Sequence, residues 1–322
     1  MSEQKHLDVS SLVSKKGEFV RNDAAFRNHI EKDGEFPPEN GRYHLYVSYA
    51  CPWAHRTLIT RKLKGLEDAI SFTVVDFLML DNGWRFNEKT PGCERDPIFD
   101  AQFMRDIYKT TAPEYTGRIT VPVLFDKTAK KIVNNESSEI IRMLNCSMNE
   151  FSATDQQRAL DFYPVELREE IDAINAWVYP NINNGVYRCG FAQSQEAYDK
   201  AVQDLFENLE KAEELLSKQR YLVGNRLTEA DIRLFTTLIR FDQVYHGHFK
   251  CNKKRIIDYP NIWGYLRELY QIPAFRETTD MNHIRKHYMM SHRNINPYGI
   301  VSVGPDLDFN APHDRNEKFP IS

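Results

Sequence analysis

What this sequence lacks narrows its function before any motif is considered. No stretch of the 322 residues approaches the ~18 apolar side chains that a membrane span needs, so no spanning helix is expected. Charge of one sign is not in excess. The 42 basic and 46 acidic residues leave a net −4, too weak a field to gather nucleic acid or an anionic membrane. The five cysteines, Cys51, Cys93, Cys146, Cys189 and Cys251, lack metal-ligand spacing, and any pairing scheme leaves one over. That usage suits a reducing compartment, and no metal is expected. Met1 to His6 contain no apolar signal core and include acidic residues, and Lys318 to Ser322 is not a peroxisomal address. A soluble, cytoplasmic protein is the expectation.

Present in their place are 41% apolar residues and 12% aromatics, enough for two cores over this length. Tyr43-His44-Leu45-Tyr46-Val47-Ser48 alternates like a strand, and Arg56 to Leu63 carries helical periodicity. Cys51-Pro52-Trp53-Ala54 lies at the turn between them. Pro52 suits the first turn of a helix, where a missing N–H is no loss. Cys51 is then at or next to the N-cap, where unpaired backbone N–H groups and the helix dipole favour a thiolate. Arg56, one turn on, adds positive charge. A lone cysteine is ordinarily an inert buried hydrophobe, but the cap position, the proline and the strand-to-helix pattern together favour a reactive one. Ala54 stands where a C-x-x-C pair would have its second cysteine, so the chemistry expected is that of a monothiol passing through a mixed disulfide.

A strand at Ile70 to Val75 follows, and residues 81–116 form an insert too long to be idle connection. Thr120 to Asp126 reads as a strand with Pro122 near its start, which demands an edge or a special turn. Val121-Pro122-Val123 resembles the cis-proline element that faces the active cysteine in thioredoxin-like folds. A hairpin through Lys127-Thr128-Ala129-Lys130 and a helix from Asn135 to Leu144 complete a thioredoxin-like order. Beyond residue 160 the pattern turns helical: Leu167 to Val178, ended by Pro180; residues 195–217; a helix opened by the capping box Thr228-Glu229-Ala230-Asp231; and helices from Ile262 to Met290. The domains expected are an extension at 1–41, anchored by Phe19, Phe26 and Phe36; a thioredoxin-like domain at 42–146; an all-helical domain at 160–290; and a tail at 291–322.

Cys51-Pro52-Trp53-Ala54 after a strand, with Trp84-Arg85-Phe86 downstream, resembles the glutathionyl-hydroquinone reductases, the Xi-class glutathione transferases, over nearly the whole chain. The resemblance implies the glutathione transferase fold: an α/β N-terminal thioredoxin-like domain plus an all-α C-terminal domain. It implies glutathione as co-substrate, Cys51 as the residue carrying a glutathione disulfide, and usually a homodimer. The backbone at Val121 would pair with the cysteinyl part of the tripeptide. Glu136 and Ser137 would take the γ-glutamyl ammonium and carboxylate at a helix N-terminus, although by themselves they read as a plain cap. Trp84 would pack beside glutathione or simply anchor its insert. Arg118 is either a partner for the glycine carboxylate or a solvated arginine. Tyr187, Tyr245 and Tyr288 lie in stretches resembling those that turn phenols toward a bound quinol. Met289 stands where the family usually has tyrosine, which alters the shape of the acceptor pocket. Two other readings use the same residues: an omega-like thiol transferase acting on dehydroascorbate or glutathionylated proteins, and a non-catalytic glutathione-transferase-like binding module.

Overall fold

In the computed structural model, residues 13–320 are described. Tyr43–Val47 forms β1, all five residues of which are buried. It pairs in parallel with β2 (Ile70–Val74) and antiparallel with β3 (Val123–Asp126), which pairs antiparallel with β4 (Lys131–Asn134). The order β2-β1-β3-β4 puts β1 inside the sheet. Two parallel neighbours need a crossover, and α1 (Pro52–Leu63) supplies it, packing against α3 (Ser137–Cys146). The polar residue of the alternating pattern, His44, is therefore buried rather than solvated. Its ring nitrogens bond Ser71 Oγ at 2.8 Å and Thr73 Oγ1 at 3.0 Å. Burial pushes its pKa down to about 4.

The Val121–Pro122 bond is cis, and β3 begins only after it, at Val123. Two buried carboxylates tie down the insert. Asp76 accepts from Arg85 Nε, Asn87 Nδ2, Thr90 Oγ1 and the Leu78 N–H, at 2.8–3.1 Å. Burial alone would raise Asp76, but these donors together hold it below its ordinary value. Asp96 accepts from the Tyr46 hydroxyl at 2.7 Å and from the N–H groups of Ile98, Phe99 and Ala101. After Asp96 comes α2 (Met104–Thr111), whose Met104, Ile107 and Tyr108 enter the core of this unit.

The chain divides into two units whose limits depart from the sequence pattern. The first comprises Asp23–Asp161 and Thr278–Ile300 among the described residues; the second comprises residues 13–22, Phe162–Glu277 and residues 301–320. The extension expected at 1–41 is thus shared out, and its first twelve residues lie outside those described. Phe36 enters the core of the first unit and Phe26 packs against it. Phe19 belongs to the second, stacked on Tyr187 and Phe191. The helix Met281–Ser291, grouped by pattern with the helical domain, joins the first unit because its polar side chains bond the chain beyond β2. His287 Nδ1 meets the Phe77 carbonyl at 2.7 Å, Ser291 Oγ accepts from the Met79 N–H at 3.0 Å, and His283 Nε2 meets the Pro91 carbonyl at 2.7 Å.

In the second unit, helices Arg168–Val178, Gln195–Lys218 and Pro260–Gln271 accompany Glu229–Arg240, every residue of which is buried. Its capping box forms: Asp231 accepts from the Thr228 N–H at 2.8 Å, and also from the Leu222 N–H and the Tyr265 hydroxyl. Burial pushes the Asp231 carboxyl up to about 6. Pro180 does not end its helical run. The chain widens into a π-helical turn at Tyr179–Asn183, which accommodates the missing N–H, and continues into Gly185–Gly190.

Candidate active site

Cys51 stands at the C-terminal end of β1, where the chain turns into α1. It is the N-cap, with extended backbone (φ −75°, ψ 119°), and Pro52 occupies the first helical position. The turn is fastened by Ser48, whose carbonyl accepts from the Cys51 N–H at 3.1 Å and whose hydroxyl accepts from the Ala50 N–H at 3.2 Å. Cys51 keeps 9% of its surface exposed, about as much as Cys93 at 8% and more than Cys189 at 1% or Cys251 at 0%. Its Sγ lies 3.3 Å from the Val121 carbonyl, donating to it as a thiol. Two influences on the sulfur therefore oppose each other: the carbonyl holds the proton, while the helix N-terminus favours its loss. Cys93 has no such cap. Its thiol donates to the Val75 carbonyl at 3.4 Å, and burial pushes it up to about 12.

Val121 and cis-Pro122 precede the residue that pairs with Tyr46 next to the end of β1, which explains how a residue 70 positions away meets the sulfur. Past β4 the chain enters the N-terminus of α3. Glu136 is its N-cap, and Oε1 accepts from the Ser138 N–H at 2.9 Å and from its hydroxyl at 2.8 Å. Ser137, the first helical residue, is 4% exposed, and its Oγ accepts from Arg56 Nη1 at 3.3 Å. Arg56 thus reaches across to α3, with its guanidinium carbon 4.5 Å from the centre of the Trp53 ring. The sequence reading gave it only a charge near the thiol.

Trp84 is 6% exposed and stacks on His287 with centroids 4.8 Å apart and planes at 20°. Its neighbour Arg85 is held by Asp76, and its own carbonyl accepts from the Met104 N–H at 2.9 Å. His287 has no role in the sequence reading, where its neighbour Tyr288 is the candidate. Arg118 is half-buried in the loop after α2, where its carbonyl accepts from the Tyr115 hydroxyl at 3.1 Å. Tyr288 is buried in the same unit, edge-on to His287 and His292.

Tyr187 and Tyr245 belong to the second unit, with ring centroids 6.1 Å apart. Tyr187 is half-buried, with Arg21 5.0 Å from its ring centre. Tyr245 is fully buried and stacks on Phe249 at 5.4 Å. The candidate residues therefore form two groups. Cys51, Trp84, Arg118, Val121, Glu136, Ser137 and Tyr288 are in one unit, and Tyr187 and Tyr245 in the other. Among the described residues no cluster of His, Cys, Asp or Glu could hold a metal ion, and no helix is long and apolar enough to cross a membrane.

Residues 50–146 match the glutathione S-transferase N-terminal domain family, and residues 195–268 the C-terminal domain family. The chain is similar to glutathionyl-hydroquinone reductase YqjG of Escherichia coli (strain K12), 53% identical over 311 residues covering 94% of each chain. It is also similar to glutathionyl-hydroquinone reductase PcpF of Sphingobium chlorophenolicum, 50% identical over 291 residues covering 90% of each. Among solved structures, the glutathione-S-transferase Xi of Phanerochaete chrysosporium superposes with a TM-score of 0.91 at 53% identity, covering 94% of this chain and 97% of that one. The glutathione-bound structure of YqjG gives 0.89 at 53% identity, covering 92% and 97%.

Proposed function

The chain belongs to the glutathionyl-hydroquinone reductases, the Xi-class glutathione transferases, and on that premise we propose that it reduces glutathionyl-hydroquinones with glutathione through a mixed disulfide at Cys51. The observation that carries the reading is the cysteine at the N-cap of α1 with its sulfur 3.3 Å from the carbonyl before the cis-proline. An extended cysteinyl peptide adding to that backbone edge would present its own sulfur to Cys51. As its N–H takes up the Val121 carbonyl, the Cys51 proton loses its acceptor and the helix N-terminus favours the thiolate.

The reaction has two halves. Carbon is a poor leaving group from an aromatic ring, so the glutathionyl-bearing carbon is first protonated, giving the keto form. Cys51 thiolate then attacks the glutathionyl sulfur, the carbon–sulfur bond breaks, and the electron pair returns to the ring as the hydroquinone. Cys51 is left as a disulfide with glutathione. A second glutathione thiolate attacks that disulfide, releasing oxidised glutathione and restoring Cys51. The hydroquinone gains two electrons and the two glutathiones supply them.

Glu136 and Ser137 are the groups for the γ-glutamyl head, Trp84 for the side of the tripeptide, and Arg118 for the glycine carboxylate. Tyr187, the half-buried phenol of its pair, is the candidate for handling the ring proton. Tyr245 and Tyr288, being buried, serve as walls or relays. We expect a cytoplasmic homodimer.

Cys51→Ser is expected to lower turnover of glutathionyl-menadione by at least about a thousandfold while the circular dichroism and melting curve stay near wild type. Substantial residual turnover in that variant would end the proposal. Efficient reduction of dehydroascorbate, with little on glutathionyl-menadione, would favour the omega-like thiol transferase in its place. A wild-type Cys51 inert to both would leave only a binding module.

A further inference from the structure

We infer that Arg56 is a positioning residue for the γ-glutamyl carboxylate of glutathione, aiming the Ser137 hydroxyl at it from behind. The inference rests on the glutathione-binding reading above. Arg56 is 1% exposed, and a charge buried that deeply must meet polar groups or an opposite charge. It spans the two helices that frame the site, rooted in α1 one turn after Cys51 and ending at the first residue of α3. Nη1 donates to Ser137 Oγ at 3.3 Å.

A serine hydroxyl has one proton to give and lone pairs to receive. With Arg56 donating to the oxygen, the Ser137 proton points away from the guanidinium. Ser137 is the first residue of its helix, so no helical carbonyl one turn earlier can receive that proton. Ser137 stands at the start of α3, where the helix dipole also favours an anion. Glu136 Oε1 is engaged by the Ser138 N–H and hydroxyl. A cation thus lies behind Ser137 and an anion beside Ser138, an arrangement complementary to the carboxylate and ammonium of an amino-acid head group. Trp53, under the guanidinium at 4.5 Å, keeps the fork in one plane and shields it from water.

The test measures binding of two peptides that cannot form a disulfide: S-methylglutathione, and the S-methyl form of 4-aminobutanoyl-cysteinyl-glycine, which lacks only the γ-glutamyl carboxylate. Wild type is expected to prefer the first by about ten- to a hundredfold, the range of one charge-assisted hydrogen bond. In Arg56→Met the preference shrinks to within about threefold of unity. Ser137→Ala does the same, and the double variant loses nothing further. A packing role alone would weaken both peptides equally and leave the preference untouched, which would overturn the inference. Should Arg56→Met fail to fold, Arg56→Lys decides. Its shorter, non-planar ammonium cannot reproduce the contact, so the preference falls at least about threefold; an unchanged preference sinks the idea. If wild type binds neither peptide, it is the glutathione reading that fails, and not merely the part given to Arg56.

Discussion

The insert of the first unit and the tail of the second are both irregular chain, and both are secured by buried charge, but with opposite polarity. At the insert, Asp76 just before it and Asp96 within it receive hydrogen bonds from backbone N–H groups and side-chain donors. In the tail, Arg315 is 1% exposed and gives its hydrogen bonds away, to Glu268 Oε2 at 2.8 Å and to the carbonyls of Leu216, Gln219 and Arg220. Those carbonyls lie at and beyond the end of helix Gln195–Lys218, where a helix leaves its last acceptors unmet. Arg220 completes the knot, bonding Glu268, the Asn316 side chain and the Phe319 carbonyl. A segment without a ladder of its own must find partners for its polar backbone, and one multiply bonded charged side chain meets several needs at once. The difference lies in what each segment carries. The insert holds Trp84, whereas the tail holds no candidate site residue.

The contrast breaks most readily at the tail. Arg315→Leu would leave Glu268 and Arg220 buried beside unmet carbonyls, and is expected to cost about 3–5 kcal/mol in urea unfolding. Turnover well below the melting temperature should stay within about twofold of wild type. A variant as stable as wild type but catalytically impaired would give the tail a part in the site.

The buried ring of β1 sharpens the contrast through pH. His44 has its pKa pushed down to about 4, while the unfolded chain binds a proton near 6.5. As pH falls, the unfolded state therefore takes up the proton first. The stability from His44 is complete above pH 6.5 and drains away toward pH 4, by about 3 kcal/mol in all. Asp76, held below its ordinary value, keeps its contribution down to the carboxylate range and loses it only below that. Melting curves from pH 7 to 4.5 should thus fall more steeply for wild type than for His44→Gln. Parallel curves would mean that acid acts elsewhere.

At the insert, Asp76→Ala strands four donors. The loss of about 2 kcal/mol should appear as faster hydrogen exchange over residues 81–116 and a drop in kcat/KM of roughly tenfold to thirtyfold. Normal kcat/KM with a loosened insert would separate Trp84 from catalysis. The smallest effect belongs to His287→Phe, which preserves an aromatic partner for Trp84 but deletes the hydrogen bond to the Phe77 carbonyl. A severalfold rise in KM with kcat nearly unchanged is expected, about 1 kcal/mol; unchanged kinetics would show that stacking alone positions the indole.

Local grammar made much of this legible in advance. Pro52 after a strand located Cys51 at a helix start, Pro122 foretold a special turn, and Thr228 with Asp231 marked a cap; all three depend on residues close in sequence. What stayed hidden depends on distant partners. Arg56 has the same spacing from Cys51 whether it faces the thiol or Ser137, and only the packing of α1 on α3 decides. His287 gains meaning from Trp84, 203 positions away by subtraction of their numbers. The Met281–Ser291 helix shares its periodicity with the helices before it, yet its hydrogen bonds to Phe77, Met79 and Pro91 put it in the other unit. Pro180 misled because a proline stop is a local rule, and a π turn satisfies it without ending the helical path.

A single turnover with no second thiol present tests the central claim most directly. Mixing the protein with a glutathionyl-hydroquinone and quenching should release one hydroquinone per chain and leave Cys51 heavier by about 305 Da, one glutathione less two hydrogens. Added glutathione should then discharge the adduct as oxidised glutathione. Release of hydroquinone with no mass gained at Cys51, or with the mass found on Cys93, Cys146, Cys189 or Cys251, would contradict the account.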